Sequence, residues 1–177
     1  MHYSMRFFCV LAVLVTPLSM AVDRVDVTLG GLLRPTGSNS QPSAVGIAAG
    51  WDLPWRWLDS NTGALVSRVD LEAGYVNTPK DAVWSVIASP VLRYQWQAQR
   101  WCAPFVEASV GVAWLSSRHW GATHDMGSQL LFADRVGAGC RFGHNELSLD
   151  LRHYSNADLA KPNDGAELLL LRYGRLF

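Results

Sequence analysis

The chain is poor in charge: 17% of its 177 residues are Asp, Glu, Lys or Arg, and the 15 bases balance the 15 acids. A soluble domain carries about 25%. With half the residues apolar, disorder is excluded. The neutral balance supplies no basic field, which argues against nucleic acid as a partner. Three cysteines are too few for a disulfide-dense scaffold. There is also no long apolar run. The longest near the N-terminus, Phe7 to Val15, has nine residues, well short of the roughly 20 that a membrane-spanning helix needs. Equally missing are a Gly-x-Ser-x-Gly elbow, a His-Glu-x-x-His pair and a Cys-x-x-Cys motif.

What is present begins with an address. Arg6, the apolar run, Pro17 and the small residues Ser19 and Ala21 read as a signal peptide over residues 1–21, cut after Ala21. Cys9 leaves with it. The exported remainder, 22–177, keeps Cys102 and Cys140, which a disulfide or a slightly offset unbonded pair explains equally well.

The mature chain alternates with period two. Val25, Val27, Leu29 and Leu33 share one face of a first strand. Leu65, Val69, Leu71, Ala73 and Tyr75 oppose Arg68, Asp70 and Glu72. Trp84 to Trp96, Pro104 to Trp114 and Leu130 to Phe142 repeat the pattern, with Asp134 a misfit on the last apolar face. Ala44 to Trp51 is weaker, its second face all Ala and Gly, and Glu146 to Asn156 and Glu167 to Phe177 complete about eight strands. Turn residues separate them, as in Arg34-Pro35-Thr36-Gly37 through Pro42, Asn61-Thr62-Gly63, Asn77-Thr78-Pro79-Lys80, Gly143-His144-Asn145 and Pro162-Asn163-Asp164-Gly165.

Two architectures fit, a soluble sandwich or lipocalin-like barrel and an outer-membrane barrel. Strands of about ten residues, aromatic residues at their ends and a terminal Phe177 favour an all-β, eight-stranded antiparallel outer-membrane barrel, apolar toward lipid and polar within. Eight strands leave room inside only for side chains. Arg68, Asp70, Glu72, Arg93, Glu107, Arg135, Asp150, Arg152 and Arg172 are then paired lumen residues, forming a plug rather than a pore.

The last hairpin breaks its own pattern. Leu147, Leu149 and Leu151 set the apolar parity of one strand, which continues into His153 and Ser155. Leu169, Leu171 and Tyr173 set that of the next, which extends back to Glu167. A hairpin centred near Ala160 places His153 opposite Glu167, with Ser155 two residues on along the same face. A hydroxyl, an imidazole and a carboxylate so arranged can form an activated nucleophile, with His153 as base and Glu167 holding the ring. Polar residues marking the edge of the apolar band are the alternative. His119 and His124, in a long loop, have no nearby third ligand and are read as solvent residues.

The run Arg152-His153-Tyr154-Ser155-Asn156-Ala157, followed by Lys161-Pro162-Asn163-Asp164-Gly165 and Glu167, closely resembles the C-terminal signature of the lipid A 3-O-deacylases, the PagL family. Phe105-Val106-Glu107-Ala108 and Phe132-Ala133-Asp134-Arg135-Val136-Gly137 look like that family's fifth and sixth strands. The resemblance implies an outer-membrane esterase removing the 3-position acyl chain of lipid A, with lipopolysaccharide as substrate and no cofactor or metal. By position, His153 matches the catalytic base, Ser155 the nucleophile and Glu167 the orienting acid. Asn156 matches an oxyanion-hole residue, and Asp158 stands where the family often has a glycine whose backbone N–H donates. A non-catalytic small barrel and a lipid acyltransferase are the rival readings; oligomeric state is not legible.

Overall fold

The computed structural model describes residues 21–33, 43–78, 82–121 and 124–177. The predicted signal peptide, apart from Ala21, and the turn at Arg34–Pro42 lie outside the described residues. The strands are β1 (Arg24–Leu32), β2 (Ser43–Trp57), β3 (Gly63–Asn77), β4 (Ala82–Trp96), β5 (Ala103–Leu115), β6 (His119–Trp120), β7 (His124–Asp125), β8 (Leu130–Phe142), β9 (Asn145–Ser155) and β10 (Ala166–Leu176). Eight of them close an antiparallel barrel in the order β1-β10-β9-β8-β5-β4-β3-β2, and β6 and β7 pair as a separate short ribbon. Arg24 pairs with Leu176, so both ends of the barrel sheet meet at one rim, here the terminal rim. The opposite end is the far rim.

The parity read from the sequence is the one observed. Val27, Leu29, Leu71, Val86, Leu92, Val110, Val112, Val136, Leu149 and Leu171 are exposed on the outer wall, and their polar neighbours are buried inside. All nine charged residues expected in the lumen are there, joined by Arg24, Asp26 and Glu146, which gives six arginines against six carboxylates. Glu107 accepts hydrogen bonds from Arg68, Arg93 and Arg135. Asp150 accepts from Arg135 and Arg172, and Glu72 takes both Arg152 nitrogens at 2.6 Å. Each ion is thereby paired and hydrogen-bonded, the condition under which buried charge is tolerable.

The Ala and Gly face of β2 explains itself in this packing. A Cβ on Gly50 would stand 2.6 Å from Arg24 Cγ and 2.8 Å from Asp70 Oδ1, so the small residues make room for the ion network. One strand differs from expectation. β2 continues past Trp51 to Trp57, with a register shift between Asp52 and Arg56. Toward the far rim the interior turns apolar: Val83, Ile87, Leu115, Trp120, Met126, Tyr154 and Leu168 form one cluster, with the Trp120 and Tyr154 rings 5.3 Å apart. At the terminal rim Cys102 and Cys140 are bridged, Cα to Cα 5.7 Å, which resolves the two readings in favour of the disulfide.

Candidate active site

The hairpin from β9 into β10 carries the site. Its register pairs His153 with Glu167 and Leu151 with Leu169, as the position arithmetic predicts. Alternation sends His153, Ser155 and Glu167 to the outer wall, where each is partly exposed. His153 Nδ1 lies 3.3 Å from Glu167 Oε1, with side-chain exposures of 42% and 32%. That contact leaves Nε2 as the ring atom available to a nucleophile. Ser155 shares the face, about 6.5–7 Å further along β9 by strand rise, opposite Phe132 of β8. Among the described residues no hydrogen bond joins Ser155 to His153. The loop returns close to the ring: Gly165, at φ +64°, has room for a Cβ only 3.3 Å from His153 Cε1.

Asn156 takes the opposite parity and is 2% exposed. Its side-chain amide donates to the carbonyls of Met126, Ala160 and Pro162, and its backbone N–H donates to Asn163 Oδ1. All its donors are therefore engaged inside the loop. Ala157 and Asp158 follow at φ +51° and +63°, and Leu159 N–H bonds Asn156 O at 3.0 Å. Positive φ at both central residues of such an i to i+3 bond defines a type I′ turn, a conformation that favours Asn, Asp and Gly and that Ala adopts at a cost. Asp158 Oδ1 accepts from Lys161 Nζ at 2.8 Å and Asn163 Nδ2 at 3.3 Å, and these donors hold its carboxyl below the usual carboxylate range. The β6–β7 ribbon braces the loop, since Asp125 N–H donates to Asp164 Oδ2. His119 Nε2, in that ribbon, lies 3.5 Å from Asp125 Oδ2.

The sequence pattern marked Asp134 only as a misfit. In the barrel it is the cross-strand neighbour of His153 on the side opposite Glu167, so the imidazole stands between two acidic positions on one outer face. Its Oδ1 is buried with no hydrogen-bond partner. An open groove of about 680 Å³ starts at His153 and Asp134 and passes Leu151, Val136, Val110 and Leu92 to Leu53, Trp55 and Trp57. A second, of about 610 Å³, shares Val136, Ala108, Leu92 and Leu151 with it and continues past Ala138, Leu149 and Tyr94. Both are apolar, and neither is visible in a linear sequence, because the walls of each come from six strands. The signal that was available is a charge standing on an otherwise greasy parity.

A closed eight-stranded barrel with a histidine–carboxylate pair and a serine on one outer face is the frame of an outer-membrane ester hydrolase. The chain belongs to the lipid A 3-O-deacylase (PagL) family, whose model matches residues 43–175. It is 35% identical over 142 residues to the lipid A deacylase PagL of Pseudomonas aeruginosa, covering 78% of this chain and 79% of that one. It is 27% identical over 164 residues to the lipid A deacylase PagL of Bordetella bronchiseptica, covering 88% of each. Its fold is similar to a crystal structure of the outer membrane enzyme PagL, with a TM-score of 0.77, 30% identity and coverage of 87% of this chain and 99% of the other.

Proposed function

We propose that this protein hydrolyses the 3-O-linked acyl chain of lipid A through Ser155, His153 and Glu167, working on the lipid-facing wall of the barrel. The observation that carries the reading is the His153–Glu167 contact at 3.3 Å on the outer wall, at the mouth of an apolar groove. Rotation of two half-exposed side chains brings Ser155 Oγ to His153 Nε2 once an ester is seated. Ser155 Oγ then attacks the ester carbonyl while His153 takes its proton and Glu167 stabilises the imidazolium. Collapse of the tetrahedral intermediate releases the sugar hydroxyl, which receives that proton from His153, and leaves the acyl group on Ser155. Water, deprotonated by His153, frees the fatty acid and restores the serine.

The groove suits an acyl chain that stays in contact with lipid throughout. Asp134 Oδ1, buried at the groove mouth without a partner, is an acceptor for a donor on the substrate. For the oxyanion, the N–H of Asp158 is an available donor, since no acceptor among the described residues meets it. Asn156, its own donors engaged, serves by anchoring the turn.

Export follows from the leader at 1–21, and an outer-membrane barrel keeps its N-terminus in the periplasm. The far rim, and with it the site, then opens at the outer leaflet, where lipid A resides. The test is mass spectrometry of lipid A from cells expressing the wild type or Ser155→Ala. Loss of one 3-linked acyl chain with the wild type alone is the expected result; equal deacylation by the variant overturns the assignment of Ser155. Released free fatty acid, rather than a labelled chain on an acceptor lipid, separates hydrolysis from acyl transfer.

A further inference from the structure

The turn that directly follows the nucleophile carries one residue unsuited to its backbone, Ala157, and one charge unsuited to the reaction, Asp158. Two consecutive residues with side chains, Ala157 and Asp158, hold left-handed backbone conformations, and one of them adds a carboxylate three residues from Ser155. A reaction that places negative charge on an ester oxygen beside Ser155 is opposed by a bare anion there. Strained backbone persists where surrounding structure over-determines it, and an observed outlier of this kind is grounds for a functional hypothesis.

What over-determines it is Asn163. Its Oδ1 accepts the Asn156 N–H at 3.0 Å, at the start of the turn, while its Nδ2 donates to Asp158 Oδ1 at 3.3 Å, on the turn's second central residue. One side chain thus ties both halves of the turn to the returning loop. Lys161 completes the arrangement with its ammonium 2.8 Å from Asp158 Oδ1. The pair is 74% and 67% exposed, and exposed pairs of this kind add little to stability. Its effect is local charge: it leaves the segment after Ser155 without net negative charge.

Resting on the assignment of Ser155 as nucleophile, we propose that Lys161 and Asn163 are positioning residues for the deacylation step. Asn163 holds the left-handed Ala157–Asp158 turn in register with Ser155, and Lys161 neutralises the carboxylate that this turn carries. Neither touches the ester. Lys161 acts through Asp158, and its removal matters only while Asp158 is charged.

The test is a double-mutant cycle on the full-length protein refolded in detergent, assayed on purified lipid A in mixed micelles. Heat-modifiable mobility in gels confirms folding of every variant. Lys161→Met is expected to lower kcat about three- to tenfold with KM unchanged, Lys161→Arg to retain kcat, and Lys161→Met made in an Asp158→Asn background to change kcat by less than about twofold relative to that background. Asn163→Ala is expected to lower kcat in both backgrounds, because the tie to the Asn156 N–H is lost in each. An equal loss from Lys161→Met in the two backgrounds, or a rise in KM in place of a fall in kcat, overturns the proposal and makes Lys161 a contact for the substrate's anionic head. Ser155→Ala is the reference arm. Full activity in that variant sinks the nucleophile assignment itself, whereas an inactive Ser155→Ala beside a null cycle sinks the Lys161 proposal alone.

Discussion

His153 and Glu167 face each other across the β9–β10 ladder, and the same register that pairs them sets Leu151 against Leu169 and Leu149 against Leu171 along the same outer wall. The histidine–carboxylate contact and the apolar outer wall are therefore set by one strand alignment. A slip of one residue between these strands would send the imidazole and the carboxylate to opposite faces. Ser155→Ala and His153→Ala are expected to abolish deacylation, with kcat falling at least about 10⁴-fold, and Glu167→Ala to cost about 10²- to 10⁴-fold, since the base remains but loses its partner. Single-turnover release of fatty acid measures all three. A Glu167→Ala variant with wild-type kcat would remove the acid from the mechanism.

Val136 and Leu151 wall the groove just below His153. Val136→Trp is expected to obstruct it, lowering kcat/KM tenfold or more on long-chain esters while sparing a short soluble ester. A uniform loss on both substrates would mean that the acyl chain lies elsewhere.

Stability should depend on the lumen far more than on the rim. Glu107 answers three arginines, so Glu107→Ala leaves several buried cations undercompensated and is expected to cost about 3–5 kcal/mol. Arg56→Ala, which breaks an exposed pair with Asp59, is expected to leave the unfolding midpoint nearly unchanged, because water screens the pair. Urea unfolding in detergent, followed by tryptophan fluorescence, compares them.

Cys102 and Cys140, 38 residues apart, join the start of β5 to the end of β8. Replacing both with serine is expected to lower unfolding free energy by about 2–4 kcal/mol without altering kcat, because the bridge lies at the rim away from His153. The same urea titration reads the first effect and lipid A mass spectrometry the second.

The barrel was legible in the chain because a wall facing two environments writes itself with period two. Leu65 to Tyr75 and Trp84 to Trp96 needed nothing more. The His153–Glu167 pair was legible for the same reason once the hairpin centre was fixed. Three things were not. The continuation of β2 through Leu53-Pro54-Trp55 depends on a register shift that breaks the alternation. Asp134 shows as an anomaly in its strand, but its place beside His153 appears only when β8 is set against β9. Asn156 has inward parity, which the alternation itself states. Its engagement with three carbonyls and Asn163 depends on loop backbone that no periodicity describes.

The balanced interior has a consequence for the envelope that hosts it. Among the described residues, six guanidinium groups locked onto six carboxylates, with Trp120 and Met126 buried toward the far rim, fill the interior with side chains. Planar-bilayer recordings of the purified protein are expected to show no conductance steps, and steady unit currents would mean that the interior opens.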